Sequence, residues 1–294
     1  MSRPTTASRP ARGRLTARLH RLQRQPLLTI GLVMATIMVA TGLLAPWLAP
    51  FPADAISATH PSAALLPPSS EHWFGTDGIG RDILSRVLYG SRISLAIALF
   101  VVTVAGVVGL TVGLVAGYVG GKADALLMRV TDVFLAFPAL LLAVALAAVL
   151  TPSASHAAVA ISVTWWPWYA RLARAQAASI RTQGYADAAR VIGAGWVRQL
   201  ARHVLPNAAT SVFVQMSLDA AGIILTAATL SYLGLGAQDP SPEWGLMVSQ
   251  GQGMATTAWW VVTFPGLAIL LLAAAFNFIG DGLQTVLDPK RGHR

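Results

Sequence analysis

Cysteine is absent from all 294 residues, which excludes disulfide frameworks, thiolate metal sites and cysteine nucleophiles. Charge is scarce: Asp, Glu, Lys and Arg make up 11% of the chain, against roughly 25% in ordinary globular chains. The six histidines, His20, His60, His72, His156, His203 and His293, form no i, i+4 pair and no cluster with carboxylates at ligand spacing, so no metal site is expected. A nucleotide-binding loop is missing too. Its nearest approach, Gly117 to Lys122, would need glycine at Ala116 and Ser or Thr at Ala123. There is no Gly-x-Ser-x-Gly nucleophile elbow. The chain is therefore not expected to be an enzyme or to hold a cofactor of its own.

What is present is apolar. Hydrophobic residues are 55% of the chain and the mean hydropathy is +0.60. Length alone would suggest two soluble domains, but the apolar residues come in runs too long for globular helices. Crossing a hydrocarbon core of roughly 30 Å takes about 20 apolar residues as a helix, because lipid offers backbone groups no partner. Six such spans are expected, at 27–49, 93–117, 133–150, 154–172, about 208–233 and 259 to about 283. The fourth contains Trp165, Trp166, Pro167, Trp168 and Tyr169, which read as an interfacial aromatic belt with a break. The first follows seven arginines, yet its apolar run exceeds the 7–15 residues of a signal-peptide core, and it reads as a retained anchor.

The net charge of +9 would suggest nucleic acid in a soluble chain. Here the basic residues lie between apolar runs, and no nucleic-acid partner is expected. With the N-terminus in the cytoplasm, eighteen of the 21 Lys and Arg fall on the cytoplasmic side, and only Arg81, Arg86 and Arg92 lie outside. The N-terminal arginines are also free to meet anionic headgroups of the bilayer.

Gly109, Gly113, Gly117 and Gly121 recur every four residues and form a small-residue face, a packing seam either within this chain or with a partner subunit. Asp219 lies midway along the fifth span, where an acid is costly. It serves either an interhelical hydrogen bond or a polar path, with Asn277 of the sixth span as a second candidate. Asp281, near the inner end of that span, reads as a helix-end or loop hydrogen-bonding group.

Between spans four and five, a helix-forming run around Tyr185 to Ile192 meets a glycine break at Gly193, then an amphipathic run and Leu205-Pro206. This reads as two short helices joined by a turn. Ala188, Ala189, Val191 and Ile192 have no core of their own and suit a groove in another protein.

Asp187-Ala188-Ala189, then Gly193, then Leu205-Pro206 about a dozen residues on, resembles the "EAA" loop of ABC importer membrane subunits, with Asp187 where that family usually has Glu. The run His72 to Arg86, including Gly75, Asp77, Gly78, Gly80, Arg81 and Asp82, with Tyr89 to Ser94, resembles the region after the first span in the C-type permeases of dipeptide, oligopeptide and nickel importers. Leu230 to Gly236, Pro242 to Gly245, Phe264-Pro265-Gly266 and Phe276 to Leu283 resemble the C-terminal half of those permeases. By its residues alone, the 75–86 segment also reads as a capped, salt-bridged surface turn.

The resemblance implies an all-α, six-span type I importer permease with both termini cytoplasmic. Residues 1–26 would be a basic tail, 27–50 the first transmembrane helix, 51–90 an external loop and 91–287 a five-helix core. The coupling loop would span 173–206 and the C-terminal tail 288–294. It implies a paralogous permease, two ATPase subunits that bind ATP and Mg, and an external solute-binding protein. Tyr185, Asp187, Ala188, Ala189, Arg190, Gly193, Leu205 and Pro206 would couple to the ATPase, and Asp77, Arg81 and Asp82 would meet the binding protein. The implied substrates are di- or oligopeptides, with nickel or glutathione-like compounds as the alternative. A membrane enzyme or free-standing carrier would need catalytic or relay residues on several spans, where the sequence offers only Asp219.

Overall fold

Uncharged runs of Leu, Ile, Val and Ala form the long helices of the computed structural model, which describes residues 25–181 and 195–287. In chain order these are α1 (Pro26–Leu48), α2 (Ile83–Val119), α3 (Gly121–Leu135), α4 (Ala139–Val149) and α5 (Ala154–Arg181). They are followed by α6 (Trp196–Gln199), a π-turn (Leu200–Val204), α7 (Leu205–Tyr232), α8 (Trp244–Gly251) and α9 (Trp260–Leu287). Among the described residues there is no strand, only an isolated bridge between Thr76 and Asp82. Four helices, α1, α2, α7 and α9, are long and apolar enough to cross a membrane. A fifth span is present if α3 and α4 count as one bent crossing.

Three expected spans change shape. The second begins at Ile83, ten residues before the expected start, because Asp82 caps the helix, Arg86 is buried in it, and Arg92 is taken up by α1 carbonyls rather than left in a loop. The third is not one rod. α3 and α4 meet at 84°, because Pro138 has no N–H to continue the ladder and disfavours helical backbone at Phe137. The fourth carries no break: α5 runs unbroken through Pro167 for 28 residues, and is the least apolar of the long helices.

The glycine repeat explains how α2 and α5 pack. A Cβ on Gly109 would strike the Tyr169 Cβ at 2.6 Å, one on Gly113 the Ala173 Cβ at 2.7 Å, and one on Gly117 the Ala177 Cβ at 2.8 Å. Small residues on both helices thus let the backbones approach. The seam lies within this chain. Gly121 does not share it: it follows the end of α2, at φ +59°, with open space around its Cβ position. α1 packs on α9, where a Cβ on Gly31 would strike the Ala275 carbonyl at 2.8 Å. α7 packs against α2, α5 and α9 and completes the bundle.

Candidate functional site

At one end of the bundle, residues 51–82 fold over the start of α2, the 233–243 loop, α8 and the start of α9. The segment is held by side chains reaching across long sequence distances. The Trp260 indole donates to the Thr76 carbonyl at 3.1 Å, and the Trp244 indole to the Val87 carbonyl at 3.0 Å. Phe74 stacks on Phe264 with centroids 3.9 Å apart.

The charged residues singled out in this segment are buried, not a surface turn: Asp77 is 8% exposed, Arg81 3% and Asp82 0%. Asp82 caps α2, accepting from the Ser85 N–H at 2.8 Å and the Ser85 hydroxyl at 2.7 Å, and its other oxygen meets His72 Nδ1 at 2.9 Å. Its own N–H donates to Asp54 at 2.8 Å. Asp77 accepts from Arg81 Nε at 2.7 Å and from the N–H groups of Ile79 and Arg81. Arg81 continues to Asp239 at 2.9 Å and to Gln250 at 3.4 Å. Asp77 and Arg81 thus brace two distant motif segments. Sequence reasoning missed Asp239 and Gln250; the only available signal was their place in the polar stretch between the last two spans.

Two acids in this region lie outside the spanning helices. Burial would raise the Asp239 carboxyl, but hydrogen bonds from Arg81 and Gln250 and the charges of Arg81 and Arg86 outweigh it and hold it below the usual range. Glu243 caps α8, accepting from the Leu246 N–H at 2.9 Å, and burial holds its carboxyl above the usual range.

Within the bundle, Asp219 of α7 is partly buried and accepts from Gln215 Nε2, one turn earlier, at 2.9 Å. The buried Tyr169 hydroxyl of α5 lies beside it. Asn277 is exposed on α9, as is Asp281, whose carbonyl accepts from Thr285.

At the opposite end, Leu114, Tyr118, Ile180, Val204 and Ala208 form an apolar cluster joining α2, α5 and the start of α7. The Tyr118 hydroxyl donates to the buried Gln199 side chain. Arg174 grips Asp124 with two bonds of 2.6 Å, and Arg171 meets Asp132 at 2.7 Å. Leu205 is half-buried and Pro206 exposed at the head of α7. Tyr185, Asp187, Ala188, Ala189, Arg190 and Gly193 lie outside the described residues.

A bundle of long apolar helices with buried charge gathered at one end marks a multi-pass membrane protein. Residues 109–293 match the binding-protein-dependent transport system inner membrane component family, and residues 16–68 match the N-terminal transmembrane domain of oligopeptide transport permease C. The chain belongs to this family of inner-membrane permease components. It is 46% identical to the probable D,D-dipeptide transport system permease protein DdpC of Escherichia coli, over 92% of this chain and 90% of that one. It is 43% identical to the dipeptide transport system permease protein DppC of Alkalihalophilus pseudofirmus, over 92% of this chain and 88% of the relative. A putative peptide transport system permease protein of Brucella suis is 42% identical over 99% of this chain and 97% of its own length.

Proposed function

We propose that this chain forms one half of the translocation pathway of an ATP-driven importer of di- and oligopeptides. It pairs with a paralogous permease, is fed by an external solute-binding protein, and is driven by two cytoplasmic ATPase subunits that bind ATP and Mg. The observation that carries the reading is identity of 42–46%, across nine-tenths or more of the chain, to relatives whose names specify peptide transport. The same names support peptides over nickel or glutathione-like compounds. The excess of Lys and Arg in the expected cytoplasmic segments supports both termini inside, with residues 51–82 outside.

In this reading ATP-driven closure of the ATPase pair moves the loop around Asp187 to Gly193 and rocks the spans between inward- and outward-facing states, two sites coupled through a bistable bundle. Ala188 and Ala189 permit close approach, and Asp187 accepts a hydrogen bond or ion pair. Purifying the tagged chain from membranes in mild detergent tests the assembly, with a second permease and ATPase subunits expected to co-purify. Reconstituted with the binding protein, the complex should take up labelled dipeptide and leave nickel outside. A lone monodisperse chain, or nickel uptake without peptide uptake, would refute the proposal.

A further inference from the structure

Beneath the folded 51–82 segment is a cavity of about 360 Å³, with Arg86 among its walls. Arg86 is 1% exposed, and its Nε and Nη1 have no hydrogen-bond partner. Its nearest polar contacts are long: the Ser241 carbonyl at 3.4 Å from Nη2, and Asp77 at 3.9 Å from Nε. Arg81 beside it is saturated, held by Asp77 at 2.7 Å and Asp239 at 2.9 Å. Arg81 thus has its acceptors, Asp239 uses only Oδ1 in holding it and keeps Oδ2 open, and Arg86 is the open donor. A buried guanidinium with free N–H groups is half of a carboxylate pair, the geometry Arg favours for recognition.

The remaining walls narrow the ligand. Met247, Met254 and Val261 give an apolar surface that fits a short side chain, and Asp239, its side chain 53% exposed, stands at the mouth. Arg81 and Arg86 balance Asp77 and Asp239. A lone anion would therefore unbalance the cavity, whereas a zwitterion would not.

We propose that this cavity is a peptide-terminus site, in which Arg86 takes the C-terminal carboxylate of a short zwitterionic peptide and Asp239 faces its α-ammonium. The apolar wall accepts a side chain. The proposal rests on the peptide-importer reading and on the orientation that puts this end outside, where substrate arrives.

The test uses the complete transporter in proteoliposomes with its binding protein outside, comparing uptake of alanylalanine with that of alanylalaninamide. The binding protein's own preference is common to wild type and variants and cancels when their acid-to-amide ratios are compared. Arg86→Gln should lower that ratio at least tenfold, with the complex still co-purifying. Ile79→Trp, which fills the cavity from its partly exposed rim and leaves every ion pair in place, should do the same, and it decides the matter if Arg86→Gln fails to assemble. Equal loss of acid and amide uptake, with more binding protein needed for half-maximal rate, would overturn the proposal and assign Arg86 to an acidic side chain of the binding protein. Unchanged ratios and rates would overturn it in favour of a purely structural cavity. A wild-type complex that takes up neither compound would sink the peptide reading, and this proposal with it.

Discussion

Pro46 and Arg92 form a compensating pair where α1 meets α2. Pro46 has no N–H, so the Gly42 carbonyl, four residues earlier in α1, loses its helical donor. An unsatisfied carbonyl in hydrocarbon is costly. Arg92 of α2 supplies the missing donor, Nε to the Gly42 carbonyl, and its Nη2 adds a bond to the Leu43 carbonyl at 2.9 Å. Arg92→Leu should therefore destabilise the subunit by about 1–3 kcal/mol, the cost of orphaning a buried acceptor. Pro46→Ala restores an N–H and should recover most of that loss when the two are combined. Thermal aggregation of the four proteins in detergent closes the cycle, and additive effects would show that the two residues are not coupled.

Elements meet through small residues and through caps, and each arrangement predicts a different failure. At the α2–α5 seam the tightest contacts are backbone and Cβ atoms, which cannot swing aside. Gly113→Leu should cost about 1–3 kcal/mol or more by overpacking and lower the yield of folded subunit, read by fluorescence size-exclusion chromatography. Gly266→Ala, outside the seam and with open space around its Cβ position, should leave the yield unchanged in the same assay. The cap of α8 is sensitive to pH. Glu243 has its carboxyl raised by burial in the folded protein, from an unfolded value near 4.5. Its contribution is full below that value and is lost as pH rises through the folded value. Wild type should accordingly lose stability relative to Glu243→Gln as pH rises above about 4.5, until the carboxyl is fully ionised. Glu243→Ala should cost about 1 kcal/mol or more, because the Leu246 N–H loses its acceptor. Melting curves across pH check both, and parallel curves for wild type and Glu243→Gln would show that the carboxyl titrates alike in the folded and unfolded states.

At the scale of the whole molecule, the long apolar spans and the glycine seam were legible in the sequence because both are written as local periodicity. The early start of α2 was hidden because Arg86 and Arg92 read as loop charges until their partners, 155 and about 50 residues away, are known. The Arg81–Asp239 brace was invisible for the same reason, since 158 residues separate the two ends. The bend between α3 and α4 had a signal in Pro138, but an apolar run on either side outweighed it. These long-range ties also frame the coupling hypothesis. The flanks of the 182–194 segment are joined by the Tyr118, Ile180 and Val204 cluster, so α2, α5 and α7 share one apolar base where the loop leaves and returns. In the proposed mechanism, a push delivered to the loop is passed through this base to three helices together. Asp187→Arg and Gly193→Leu should thus preserve membrane insertion and co-purification with the ATPase subunits, yet abolish peptide-stimulated ATP hydrolysis. Hydrolysis and uptake are measured in the same vesicles, and wild-type rates in either variant would place the coupling contact elsewhere.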